Sequence, residues 1–174
     1  KSLLGPMGTG GLIINTDIDI KPLKAGGTGG DSAYEYQPDY YPNHLETGTS
    51  NVSGIAGLRE AIKFLNKEGI ENIHNKEKEL TKYALEKLET VKDIEIYGPK
   101  DCEKMLSVIS FNIKDKRPED VGSILDQKYD IMLRAGLHCA PTAHSVIGIK
   151  ERGTLRIGLG YFNEKEDIDK LVEA

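Results

Sequence analysis

The stretch Leu155-Arg156-Ile157-Gly158-Leu159 places an apolar residue at every second position. That period of two marks a strand with one buried face, so Leu155, Ile157 and Leu159 are expected to point into a core. Arg156 then stands on the opposite face, and Gly158 beside it carries no side chain to block approach. A guanidinium on a rigid strand suits a two-pronged grip on a carboxylate. An ordinary solvated strand arginine would show the same pattern.

Working outward from this strand, Ile109, Phe111 and Ile113 alternate with Ser110 and Asn112, a second half-buried strand. Ile94 and Ile96 suggest a third, stopped by Gly98-Pro99, and Ile131 to Leu133 a short fourth. Pro118 followed by Glu119 and Asp120 is a helix start, with Val121, Ile124 and Leu125 as the buried face. Ile55, Leu58, Ile62 and Leu65 recur at helical spacing up to Gly69, placed to end that helix. Ile73, Leu80, Ala84 and Leu88 outline a second helix. After the last strand, Asn163 with Glu166 three residues on resembles a capping box, opening a helix with Ile168, Leu171 and Val172. From residue 55 the order is α-α-β-β-α-β-loop-β-α. That predicts an α+β layer, a small sheet with helices on one face.

The front of the chain reads differently. Ten of the 19 glycines lie in the first 54 residues. Leu12-Ile13-Ile14 is consistent with a short strand. From Asn15 to Ser50 no helical period appears; Pro22, Pro38 and Pro42 punctuate the segment around Gly26-Gly27-Thr28-Gly29-Gly30. A stretch of this kind serves a site or an interface, or belongs to surrounding structure outside the chain. The expected division is therefore 1–54 and 55–174.

Composition bounds the function. The 174 residues carry a net charge of −5, without the basic clustering that nucleic-acid binding requires. No apolar run is long enough for a membrane helix, and no signal peptide is visible. Cys102 and Cys139 could pair only as a single disulfide, and a reduced, cytoplasmic protein fits their unpatterned spacing better.

The segment Arg134-Ala135-Gly136-Leu137-His138-Cys139-Ala140-Pro141 puts Cys139 in a loop after a short strand. Cationic neighbours favour a thiolate and a loop keeps it accessible, the two requirements of a reactive sulfur. A buried, inert cysteine is the alternative. Cys102, between Asp101 and Glu103, is the poorer nucleophile and reads as structural. His44, His74 and His144 have no metal-ligand spacing with one another or with Cys139, so no metal is expected. The glycines of 5–11 lack the Gly-Lys-Ser/Thr of a phosphate-cradling loop. Lys1, by itself, reads as a solvated lysine.

Taken together, four segments resemble the class V aminotransferase family, and within it the cysteine desulfurase/selenocysteine lyase branch. They are Lys1-Ser2-Leu3-Leu4-Gly5-Pro6-Met7-Gly8-Thr9-Gly10, Glu46-Thr47-Gly48-Thr49-Ser50-Asn51, the Arg134–Ala140 loop and the Leu155–Leu159 strand. The resemblance implies the C-terminal part of a fold-type I pyridoxal-phosphate-dependent transferase. Residues 1–54 would be the end of the large domain with an interface loop, and 55–174 the small α+β domain.

It also implies roles. Lys1 binds the aldehyde of pyridoxal 5'-phosphate and moves the substrate's alpha proton. Arg156, with Arg134, holds the alpha-carboxylate of an amino-acid substrate. Cys139 attacks the substrate sulfur, giving a persulfide and releasing alanine. Thr49 and the Gly48 backbone bind the cofactor phosphate of the other subunit, with Gly26-Gly27-Thr28-Gly29 in the same segment. The expected assembly is a homodimer with shared active sites, which passes sulfur to an acceptor protein. Leu137 departs from the histidine that many relatives carry there. The family's aspartate at the pyridine nitrogen, its ring-stacking histidine and most phosphate ligands precede the lysine, so the chain is expected to be a C-terminal fragment. Two alternatives remain at this point. One is an aminotransferase, epimerase or selenocysteine lyase of the same family, with Cys139 incidental. The other is a non-catalytic α+β binding or dimerisation module.

Overall fold

Asn51 begins the first helix by accepting a hydrogen bond from the Gly54 amide at 3.0 Å, which satisfies one of the orphan donors of the first turn. Helix α1 runs Val52–Glu68, and Gly69 closes it as its amide N–H donates a hydrogen bond to the Leu65 carbonyl at 2.9 Å. Gly69 adopts φ 84°, a left-handed value that glycine takes without the strain a side chain would add. In this computed structural model, which describes residues 2–15, 17–30 and 33–174, the chain divides at that glycine into two units, Lys1–Gly69 and Ile70–Ala174.

Within the first unit the opening Gly-Pro turn lies on α1. A Cβ on Gly57 would sit 2.7 Å from Pro6, and one on Gly5 would sit 2.6 Å from Leu58. The strand expected at Leu12-Ile13-Ile14 is not formed. Ile13 is 95% exposed, and the segment has no ladder partner among the described residues. The long segment that follows is tied by side chains instead. Gln37 Nε2 donates to the Asn43 carbonyl at 2.6 Å, and Gln37 Oε1 accepts from the Gly26 amide at 3.1 Å. The ring of His44 bridges the Pro38 and Ile20 carbonyls at 2.8 and 3.0 Å.

The second unit comprises α2 (Ile70–Leu88), β1 (Ile94–Tyr97), β2 (Val108–Ile113), α3 (Pro118–Tyr129), β3 (Arg134–Gly136), α4 (Pro141–Val146), β4 (Thr154–Gly158) and α5 (Lys165–Glu173). The strands form one antiparallel sheet in the order β1-β2-β4-β3. Leu80, Ala84, Leu85 and Leu88 of α2 and Ile168 of α5 meet Ile109, Phe111, Leu155 and Ile157 on one face. Each fully buried side chain of this size stabilises by about 1.5–3 kcal/mol.

Three local expectations shift. The strand placed at Ile131–Leu133 forms instead at Arg134–Gly136, because the Ile131 amide is taken by the Leu125 carbonyl at 3.0 Å as α3 ends. The capping box of α5 starts one residue later than expected: Glu164 is the N-cap and Asp167 its partner, while Asn163 Oδ1 accepts from the Gly160 amide at 2.9 Å. The loop between the last two strands contains the short helix α4, which Pro141 opens at its first position.

Candidate active site

The strand register lays out the site. Tyr97 pairs with Ser110, Ser110 with Arg156, and Arg156 with Arg134, so these four side chains form one row across the face opposite the core. Arg156 is half-buried and Arg134 exposed. Among the described residues neither forms an ion pair with a carboxylate. Like charges directly opposite in a sheet destabilise it. The pair thus offers two guanidiniums that are in no ion pair among the described residues, and both line a cleft of about 330 Å³ beside Gly158, whose wall also carries Asp167.

The same strands position Cys139. Gly136, at the end of β3, and Gly153, just ahead of β4, pinch together. A Cβ on Gly153 would lie 3.0 Å from the Gly136 backbone. The chain between them bulges out as a loop. Its first turn is closed by the Ala140 amide on the Leu137 carbonyl at 2.8 Å. His138 and Cys139 within it take φ values of 53° and 59°. Two consecutive left-handed non-glycine residues cost about 1–3 kcal/mol each unless their surroundings enforce them. Cys139 is exposed and its thiol free; Cys102 is also free, half-buried.

His138 is fastened to β4. Its Nε2 lies 3.0 Å from the Thr154 carbonyl and 2.9 Å from the Thr154 hydroxyl oxygen. His144 reaches the same hydroxyl through Nε2 at 3.3 Å and the Ala140 carbonyl through Nδ1 at 2.9 Å. A carbonyl only accepts, so His144 Nδ1 donates to Ala140, its Nε2 accepts the Thr154 hydroxyl proton, and His138 Nε2–H donates to Thr154. His138 Nδ1 is then a bare acceptor, enclosed and without a partner among the described residues. Burial pushes the His138 ring below the usual histidine range, and the Arg156 guanidinium pushes it further the same way.

Asn112 completes the neck of the loop. It is 0% exposed, donates to the Gly153 carbonyl at 2.9 Å, and accepts from the Leu155 amide at 3.3 Å. Its side chain takes over the ladder where β2 and β4 part. The alternation placed Asn112 on the polar face but gave no sign that the loop would cover it. Thr154, 1% exposed, was equally hidden as the residue just before the alternating stretch.

In the first unit Gly48 takes φ 87° and its amide donates to the Gly27 carbonyl at 2.6 Å, which ties together the two glycine segments singled out in the sequence. That bond occupies the Gly48 amide. Thr49 is exposed, with its hydroxyl and amide unengaged among the described residues, so the donors that fit a phosphate here are those of Thr49. Lys1 lies outside the described residues. Among those residues, no three His, Cys, Asp or Glu side chains gather as a metal site.

This fold is the C-terminal part of a fold-type I pyridoxal-phosphate-dependent enzyme: helices on one face of a small antiparallel sheet, arginines on the other. The chain belongs to the class V aminotransferase family, whose sequence profile matches residues 1–171. A "probable cysteine desulfurase" of Staphylococcus epidermidis is 36% identical over 176 aligned residues, which cover 99% of this chain and 42% of that protein. The chain thus spans less than half the length of the curated relatives it matches. Among solved structures, the apo cysteine desulfurase of Thermococcus onnurineus NA1 superposes with a TM-score of 0.71 at 33% identity, covering 76% of this chain and 32% of that one. The Escherichia coli cysteine desulfurase CsdA, solved as an S-sulfonic acid, gives 0.75 at 28% identity, covering 88% and 37%.

Proposed function

We propose that this chain forms the substrate-clamping and sulfur-accepting part of a pyridoxal-phosphate-dependent cysteine desulfurase. The observation that carries the reading is an exposed Cys139 on a loop braced beside an unneutralised guanidinium pair. Arg156 and Arg134 hold the alpha-carboxylate of L-cysteine and fix the orientation of the amino acid. Thr49 supplies phosphate donors, and Lys1 is the residue the resemblance assigns to the cofactor aldehyde. Bound pyridoxal phosphate supplies the electron sink that makes the substrate's Cβ–S bond cleavable.

Cys139 acts on that sulfur. An S–S bond forms between Cys139 Sγ and the substrate sulfur, and the Cβ–S bond breaks with its electron pair going to carbon. A proton then completes alanine. One thiol and one cysteine give one persulfide and one alanine, with sulfur oxidised and carbon reduced, so no outside oxidant enters. The exposed loop leaves the persulfide open to an acceptor protein. A cytoplasmic homodimer with shared sites completes the reading. Among the described residues no helix is long and apolar enough to cross a membrane.

The test supplies the full-length protein with L-cysteine and a reductant. Equal amounts of alanine and sulfide are expected, and Cys139→Ala is expected to abolish both. Transfer of the amino group to a keto acid without sulfide would select an aminotransferase instead. A selenocysteine lyase would release selenide from selenocysteine and leave cysteine untouched.

A further inference from the structure

We propose that His138 is a positioning residue for Cys139: its ring, clamped on Thr154 of β4, enforces the left-handed pair that holds the thiol in place. This inference rests on the reading of Cys139 as the sulfur nucleophile and adds a residue to it.

The geometry carries it in three steps. First, neither residue of the pair is a glycine, so the backbone at φ 53° and 59° must be held from outside. Second, the His138 ring makes two hydrogen bonds to one residue of a buried strand, at 3.0 and 2.9 Å, and among the described residues no other side chain of the 137–140 turn hydrogen-bonds to β4. Third, the platform is itself fixed. Thr154 is held by His144 Nε2 at 3.3 Å, and the opposite nitrogen of His144 returns to the Ala140 carbonyl at 2.9 Å, just past the thiol. The two rings, 5.7 Å apart, grip the turn on either side of Cys139. The clamp needs a donor at the Nε2 position and no charge, since a second ring proton would be enclosed without an acceptor and beside Arg156. Glutamine can supply such a donor; alanine cannot.

The experiment compares the full-length protein with His138→Ala and His138→Gln variants, after thermal melts establish that each is folded. Amide hydrogen exchange of the 137–147 peptide is expected to rise at least about tenfold in His138→Ala and to return toward the native rate in His138→Gln. With L-cysteine, kcat is expected to fall at least about tenfold in His138→Ala, with KM nearly unchanged and recovery in His138→Gln, because the arginines that bind substrate stay in place. Unaltered exchange in His138→Ala, or equal defects in both variants, would overturn the assignment. If the two variants show this exchange pattern but the native protein releases no sulfide from cysteine, the desulfurase reading fails while the clamp stands.

Discussion

Arg134 on β3 and Arg156 on β4 are direct cross-strand partners on one face of the sheet, and among the described residues neither forms an ion pair with a carboxylate. In the proposed function this pair binds the substrate carboxylate. Arg134→Gln is expected to leave the fold intact and to raise stability by up to about 0.5 kcal/mol, a small figure because Arg134 is exposed and screened. The same change should weaken amino-acid binding. A chemical melt of both forms, set beside their KM values, checks the opposition; loss of stability would contradict it.

Arg156 bears the larger share, being half-buried and flanked by Gly158. Arg156→Lys keeps the charge and loses the fork. One charge-assisted hydrogen bond is worth about 1.5–3 kcal/mol, so kcat/KM should fall roughly 10- to 100-fold. A decline confined to kcat at unchanged KM would argue against a carboxylate clamp.

Gly153 and Gly158 make a third test. At Gly153 a methyl group meets both a φ of +71° and backbone 3.0 Å away. Gly153→Ala should destabilise the fold by about 1–3 kcal/mol and loosen the Cys139 loop. At Gly158 nothing lies within 4 Å, so Gly158→Ala should change stability by less than about 0.5 kcal/mol. Its effect should appear on substrate affinity, because the new methyl group stands beside Arg156. Thermal melts of the two variants separate these outcomes.

These contrasts show what the sequence could and could not disclose. Period-two alternation around Arg156 and period-3.6 spacing in α2 are local, so β1, β2, β4, the longer helices and the outward direction of Arg156 were legible, whereas β3 was misplaced and α4 read as loop. Its place in a loop near His138 and Arg134 singled out Cys139. Asn112 and Thr154 were not legible, because their burial comes from a loop closing over the polar face of the sheet. Nor was the role of His138, whose partner on β4 is distant along the chain. The strand expected at Leu12-Ile13-Ile14 failed for a related reason: an apolar triplet needs a neighbouring strand, and none is present among the described residues.

Asn112 tests that closure directly. Asn112→Leu keeps the volume but strips the Gly153 carbonyl and the Leu155 amide of their bonds at 2.9 and 3.3 Å. Each buried backbone group left unsatisfied costs about 1–3 kcal/mol, so a loss of about 2–5 kcal/mol is expected. Denaturant unfolding measures it. A near-neutral result would mean that water reaches the neck of the loop.

His138 gives the fold a pH dependence with a definite sign. The groups facing it are Arg156, Arg134, His144 and the Thr154 carbonyl and hydroxyl, and burial and the guanidiniums together outweigh the carbonyl's pull. Its pKa in the folded protein therefore lies below the ordinary value of 6.5. As pH falls through that value, the unfolded chain takes up this proton before the folded one. Stability then rises with pH in this window, and the loss on acidification is complete below the lowered folded pKa. As pH falls through the ordinary histidine value of 6.5 and toward the lowered folded one, unfolding should become coupled to proton uptake at this residue. His138→Gln keeps the clamp and cannot titrate, so its stability should fall less steeply across the window while matching the native protein near the upper end. Urea titrations at several pH values measure both slopes. Parallel slopes would show that His138 takes its proton as readily in the folded chain as in the unfolded one, and that the ring edge at Nδ1 is open to solvent.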